Sequence, residues 1–202
     1  MSVLVTVGTT SFDQLIQETC KLEFHTALLH LGYRHVQIQY GSGQVIPKLP
    51  DVESNTNAQL LSLETFTFKP DLSSDISSAD LVISHGGSGT CLQALTPPGA
   101  RRLIIVINDT LAENHQEDLA LTLARGRHAV AAKPENLISL LRDGVTETTS
   151  PFPGIPFKYF SPSVVDLLGP QLPPEKVGFV GFQRGNPSKL RYYLDAYFDS
   201  NC

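Results

Sequence analysis

At 202 residues and 22.0 kDa, with 41% hydrophobic and 17% charged residues, the chain has the content of one globular domain, or one domain with a tail, which excludes disordered and fibrous classes. Fifteen Lys and Arg against 20 Asp and Glu leave a formal charge of −5 and a pI near 5.6, and the longest basic run is Arg101-Arg102, so phosphate-backbone electrostatics are missing and no nucleic-acid partner is expected. Cys20, Cys91 and Cys202 are too scattered for a disulfide framework or a zinc site, and MSVLVTVGTT has neither the basic start nor the long apolar core of a signal peptide, so a cytoplasmic chain that does not span a membrane is expected.

In chain order, the apolar, β-branched run Val3 to Val7 stops at the polar loop Gly8-Thr9-Thr10-Ser11, and Phe12, Leu15, Ile16 and Thr19 then fall at helical spacing. His35 to Gln39 reads as a further strand, and Glu64 to Lys69 alternates like an edge or connecting strand. His25, His30 and His35 have no metal-ligand spacing and read as structural or surface residues, so no metal site is expected. The strand-loop-helix unit returns at Asp80 to Ser84, His85-Gly-Gly-Ser-Gly-Thr90 and a short helix through Leu95 that Pro97-Pro98 must end. It returns again at Leu103 to Ile107, Asn108-Asp-Thr110 and a helix of about 15 residues, carrying Leu111, Leu119, Leu121 and Leu123, that stops at Gly126. Ala129 to Ala132 is a last short strand. Strands apolar along their whole length are covered on both faces by helices, so the fold class is α/β, a Rossmann-like doubly wound parallel sheet.

This domain is expected over residues 1–150. From 151 to 202 prolines recur and 10 of the 16 aromatic residues are found. There Asn186-Pro187-Ser188 starts an amphipathic helix whose Leu190, Tyr193, Leu194, Tyr197 and Phe198 share one face, which must pack on the domain or on a partner.

In open α/β sheets ligands sit beyond the carboxyl ends of the strands, so the three loops should converge on one crevice. The middle one is glycine-rich and opens a helix, leaving backbone amides and the positive helix end free to cradle a diphosphate. No Gly-Lys dipeptide exists, which excludes a Walker A loop, and Gly86-Gly-Ser88-Gly-Thr90 has Thr where a nucleophile elbow needs Gly. Gly87-Ser-Gly89-Thr-Cys-Leu92 lacks the third glycine of a dinucleotide fingerprint, although Asp109 stands 20 residues beyond Gly89, as a ribose-binding acid would; a nicotinamide enzyme is thus the weaker alternative. No Asp-x-Asp metal-chelating pair occurs, so a diphosphate would rest on amides. His85 is the candidate for proton transfer or for hydrogen bonding to a departing phosphate, and Asn114, His115 and Gln116 can address a sugar or ribose through directional hydrogen bonds.

Val5 to Asp13, Asp80 to Thr90 and Val106 to Gln116 together resemble the family of catalytic subunits of the two-protein UDP-N-acetylglucosamine transferase that adds the second GlcNAc to dolichol-diphosphate-GlcNAc in asparagine-linked glycosylation. The similarity covers roughly residues 1–168. The resemblance implies the donor-binding C-terminal half of a GT-B glycosyltransferase, similar to that half of the bacterial peptidoglycan GlcNAc transferase. It implies a membrane-anchored, acceptor-binding partner subunit that holds the chain on the cytosolic face of the endoplasmic reticulum. Gly8, Thr9 and Thr10 would then border the cleft, Gly86, Gly87, Ser88, Gly89 and Thr90 hold the diphosphate, and Asn114, His115 and Gln116 meet sugar and ribose. UDP would leave from the anomeric carbon with inversion, without a cofactor or a required metal. Where related enzymes place an acid six positions after the loop glycine, this chain has Gln93, whose contact to the ribose hydroxyls is less charge-assisted. A non-catalytic sugar-nucleotide-binding module is the alternative that this substitution favours.

Overall fold

A computed structural model describes residues 1–50, 61–108, 115–149, 152, 154 and 157–182, except the side chains of residues 115 and 157. Six parallel strands form one sheet: β1 (Ser2–Thr6), β2 (His35–Gln39), β3 (Ser62–Phe66), β4 (Leu81–Ser84), β5 (Arg102–Val106) and β6 (Val130–Ala132). Their order is β3-β2-β1-β4-β5-β6, so the winding reverses between β1 and β4, where Val3 pairs with Leu81 and Thr6 with Ser84.

Helices cover both faces. On one lie α1 (Asp13–Thr19), α2 (Leu22–Leu31), α6 (Leu137–Asp143) and α7 (Val164–Leu168), sharing a core with Val3, Val5, Ile38, Ile83, Ile104 and Val130. On the other lie α3 (Ser73–Ser78), α4 (Ser88–Ala94) and α5 (His115–Arg125), packed on Leu4, Val82, Leu103, Ile105 and Ala131. The strand period of two explains the division: β1, β4 and β5 are apolar at odd and even positions and so fill two cores. In β2 only Val36 and Ile38 are core residues, whereas Gln37, like Ser62 and Glu64 of β3, lines a cavity of about 230 Å³ on the face carrying α3. Thus β3 is an edge strand, and its alternation reflects one covered face. The helix after β5 is described from His115, giving 11 residues; Leu111 lies outside the described residues.

The segment from 157 to 182 returns to the same body. Phe160, Leu167, Leu168, Val177 and Phe179 are core residues. Two buried side chains hold it: Tyr33 Oη donates to Leu168 O at 2.7 Å, and Arg102 donates to the carbonyls of Leu167 at 2.6 Å, Asp166 at 3.2 Å and Leu172 at 2.6 Å. The helix expected over 186–198 lies outside the described residues.

Candidate functional site

The point where the winding reverses puts the ends of β1, β4 and β5 side by side, and such a switch point in an open α/β sheet is where ligands collect. The loop after β1 is a tight turn. Gly8 has φ +66°, its amide bonds Thr6 Oγ1 at 3.2 Å, and Thr10 Oγ1 donates to Val7 O at 3.0 Å. Thr9 is left exposed at the tip and Thr10 half-buried.

After β4 the backbone turns at Gly86, φ +89°, and enters α4 through Gly87 as N-cap. Cys91 N bonds Gly87 O at 3.0 Å, while the first-turn amides of Ser88, Gly89 and Thr90 have no protein acceptor among the described residues. Ser88 and Gly89 are exposed, and nothing lies within 4 Å of a Cβ added at Gly89, so the approach is open. The three amides and the positive helix end suit an anion. Gln93 lies one helical turn beyond Gly89 on the exposed side of α4.

His85 lies between the two loops. A Cβ at Gly8 would come 2.7 Å from its Cε1 and 2.9 Å from its Nε2, and a Cβ at Gly87 would come 2.7 Å from Nε2. Two glycines are therefore needed to admit one imidazole. His85 Nδ1 is 3.3 Å from Thr6 O, which can only accept, so Nδ1 carries the proton and Nε2 of the neutral ring keeps its lone pair. Burial pushes the His85 pKa below its ordinary value, and the Thr6 bond only partly opposes this, so the neutral ring dominates at pH 7. Of the two roles open in the sequence, proton acceptor fits this ring; donation from Nε2 requires the cation that burial disfavours.

The third wall is α5. A Cβ on Gly86 would stand 3.3 Å from Ile105 Cγ2 and 3.5 Å from Gln116 Cβ, which brings the glycine loop against the start of that helix. Gln116 Oε1 is buried and has no hydrogen-bond partner among the described residues. Backbone of His115 begins α5; its side chain and Asn114 lie outside the described residues.

Sequence reasoning missed two supports. After β2, Gly41 has φ +61°, and a Cβ there would be 2.3 Å from Thr10 O; Ser42 N donates to that oxygen at 3.4 Å, and Asp13 accepts from Gln44 N and Val45 N at 3.2 Å each. This loop backs the turn after β1, and Gly41-Ser-Gly43 was its available signal. Arg101, read only as half of a basic pair, donates through Nη1 to the carbonyls of Gln93 at 3.2 Å, Ala94 at 3.0 Å and Thr96 at 2.7 Å, fixing the far end of α4.

Residues 2–154 match the family described as glycosyltransferase family 28 C-terminal domain. The mouse protein named UDP-N-acetylglucosamine transferase subunit ALG13 is 41% identical over 124 residues, 61% of this chain and 10% of that protein. Its namesake in Yarrowia lipolytica is 32% identical over 145 residues, 70% of either chain. This chain thus spans about a tenth of the mouse relative and a larger part of the yeast one. Among solved structures, an NMR structure of ALG13 superposes with TM-score 0.50 at 27% identity, over 75% of this chain and 89% of the other. MurG of Acinetobacter baumannii superposes with TM-score 0.50 at 21% identity, over 70% of this chain and 39% of that one, a likeness of fold.

Proposed function

We propose, since this chain belongs to the family of glycosyltransferase family 28 C-terminal domains, that it is the donor-binding subunit of an inverting transferase moving GlcNAc from UDP-GlcNAc to dolichol-diphosphate-GlcNAc. The observation that carries the reading is the pair of glycine turns closed on His85, with the amides of Ser88, Gly89 and Thr90, unpaired among the described residues, beside it at the sheet's switch point. The name of these relatives, UDP-N-acetylglucosamine transferase subunit, supplies the donor sugar. In this reading the amides take the diphosphate and stabilise the charge that develops as UDP leaves, without a metal. Thr9 and Thr10 border the cleft, Gln93 meets the ribose, and Asn114, His115 and Gln116 meet the sugar. The acceptor O4 attacks the anomeric carbon from the opposite face, the C1–O bond to UDP breaks, and the O4 proton passes to a base. We assign His85 Nε2 as a proton acceptor in the assembled site.

One α/β lobe forms one wall of a two-substrate cleft. The other lobe, in this proposal, is a membrane-anchored subunit that binds the lipid-linked acceptor and keeps this chain on the cytosolic face of the endoplasmic reticulum. Among the described residues no helix is long and apolar enough to cross a membrane. Calorimetric titration tests the donor arm: UDP binds and NAD does not, and binding of NAD alone would overturn the reading in favour of a nicotinamide enzyme.

A further inference from the structure

We infer, resting on the transferase reading above, that Gln39 is a positioning residue for His85 and acts through the hydroxyl of Thr6. Gln39 ends β2 with 1% of its surface exposed, so it does not itself meet a substrate. Its registered neighbour in β1 is Thr6, which pairs on its other side with Ser84 of β4. All three are buried, and they form a polar row across the sheet just below the two glycine turns. The same row continues into β5 and β6 as Ile105 and Ala131, which are core residues. Its polarity is thus confined to the strands beside and beneath the turns. A buried amide is costly unless it is hydrogen-bonded, and the side-chain bond that Gln39 makes is to Thr6.

Thr6 Oγ1 donates to Gln39 Oε1 and accepts from Gly8 N at 3.2 Å. With its one proton committed to Gln39, the hydroxyl offers a lone pair to Gly8 N, and the turn after β1 is held closed. Ser84 Oγ accepts from Gly86 N at 3.4 Å in the same two-residue relation, so each glycine turn is tied to a hydroxyl in the row below. Closure confines the imidazole, because a Cβ at Gly8 would stand 2.7 Å from His85 Cε1 and 2.9 Å from Nε2. The carbonyl of Thr6 also accepts from His85 N at 3.1 Å and meets Nδ1 at 3.3 Å. One residue therefore holds both the turn that packs on the ring and the atom that fixes its tautomer. Without the Gln39 acceptor the Thr6 hydroxyl turns to another partner and its bond to Gly8 N weakens. The ring then gains room to swing Nδ1 off Thr6 O, and Nε2 loses the aim that accepting the O4 proton requires.

The test uses the complex of this chain with its membrane subunit, UDP-GlcNAc, and a GlcNAc-diphosphate acceptor on a shortened isoprenoid. Gln39→Met and Thr6→Val are each expected to lower kcat about tenfold with both KM values within about twofold, and Thr6→Ser, which keeps the hydroxyl, to restore it. The double variant Thr6→Val/Gln39→Met separates positioning from packing, and it serves as well should Gln39→Met fail to fold. Each single change strands one buried polar group, whereas the double change removes both, so its melting temperature should return toward wild type. Its kcat should stay at about a tenth of wild type, because Gly8 N still lacks its acceptor. An unchanged kcat in Gln39→Met, or a kcat that recovers with the melting temperature in the double variant, overturns the inference and leaves the transferase reading standing. Should the wild-type complex transfer nothing, the transferase reading fails by itself, and ring-nitrogen NMR of this chain alone decides the positioning. A single Nδ1–H tautomer of His85 in wild type that becomes a mixture in Gln39→Met upholds it, and any other pattern overturns it.

Discussion

His85 Nε2 stands 2.7 Å from where a Cβ on Gly87 would be, although the Gly87 backbone, at φ −61° and ψ 125°, is one that any residue adopts. Glycine is required at 87 by the imidazole and not by the turn. Gly87→Ala should therefore cost about 1–3 kcal/mol of stability, the usual cost of forcing a methyl group into packed space. In a His85→Ala background the same change should cost much less. Denaturant unfolding of the two single variants and the double variant measures this coupling. Additive costs would mean that the ring does not exclude the side chain.

His85→Ala should lower turnover of the assembled enzyme about 100-fold or more, the range of a lost proton acceptor, while the melting temperature drops only a few degrees. Steady-state kinetics beside a thermal melt separate the two effects. An unchanged kcat would remove His85 from the chemistry and leave it as the packing group between Gly8 and Gly87.

Stability should fall on the acid side through two histidines. Burial lowers the pKa of both His25 and His85, more than their bonds to Thr19 and Thr6 raise it. The unfolded chain therefore takes up protons first as pH falls below about 6.5, the ordinary imidazole value. The stability these rings contribute is full above that pH and is lost as pH falls toward their folded values. Melting temperature should be flat from about pH 7 to 8 and drop as pH falls below about 6.5. His25→Leu should flatten the slope, since the His25 ring is fully buried with Nδ1 unpartnered among the described residues. A slope unchanged in that variant would contradict the assignment.

Arg102→Met should release the return segment while keeping much of the side-chain volume. Three carbonyls, of Asp166, Leu167 and Leu172, lose their guanidinium donor. The expected cost is about 3 kcal/mol, with hydrogen exchange accelerated first at residues 164–172. Uniform exchange across the sheet would show that the segment is not separately pinned.

The central sheet was legible because β1, β4 and β5 carry apolar residues toward both cores, with the buried polar Thr6, Ser84 and Arg102 confined to strand ends, and this pattern marks a parallel strand covered twice. The edge or connecting character of β3 was legible from the alternation of Phe66 and Phe68 with Thr65 and Thr67 over Glu64 to Lys69, although the strand itself runs from Ser62 to Phe66. At the site, the glycines of 86–89 announced the turn into α4, but why Gly8 and Gly87 are both glycine was hidden, because it depends on one ring reaching across 79 residues to Thr6. Arg101 and Arg102 read only as the longest basic run of the chain. Arg102 is buried on carbonyls at and just beyond the end of α7, 64 to 70 residues away and invisible to local pattern, whereas Arg101 turns back on the carbonyl end of α4, only 5 to 8 residues before it. The Gly41 to Gly43 loop was missed because its role is to back another loop, a contact without periodicity.

Transfer of labelled GlcNAc from UDP-GlcNAc to a dolichol-diphosphate-GlcNAc analogue tests the central claim most directly, assayed with this chain alone, the membrane subunit alone and the two mixed. The account predicts product only in the mixture, formed equally well in the presence of EDTA. No product in the mixture, with UDP-GlcNAc binding to this chain intact, would contradict it and leave a sugar-nucleotide-binding module.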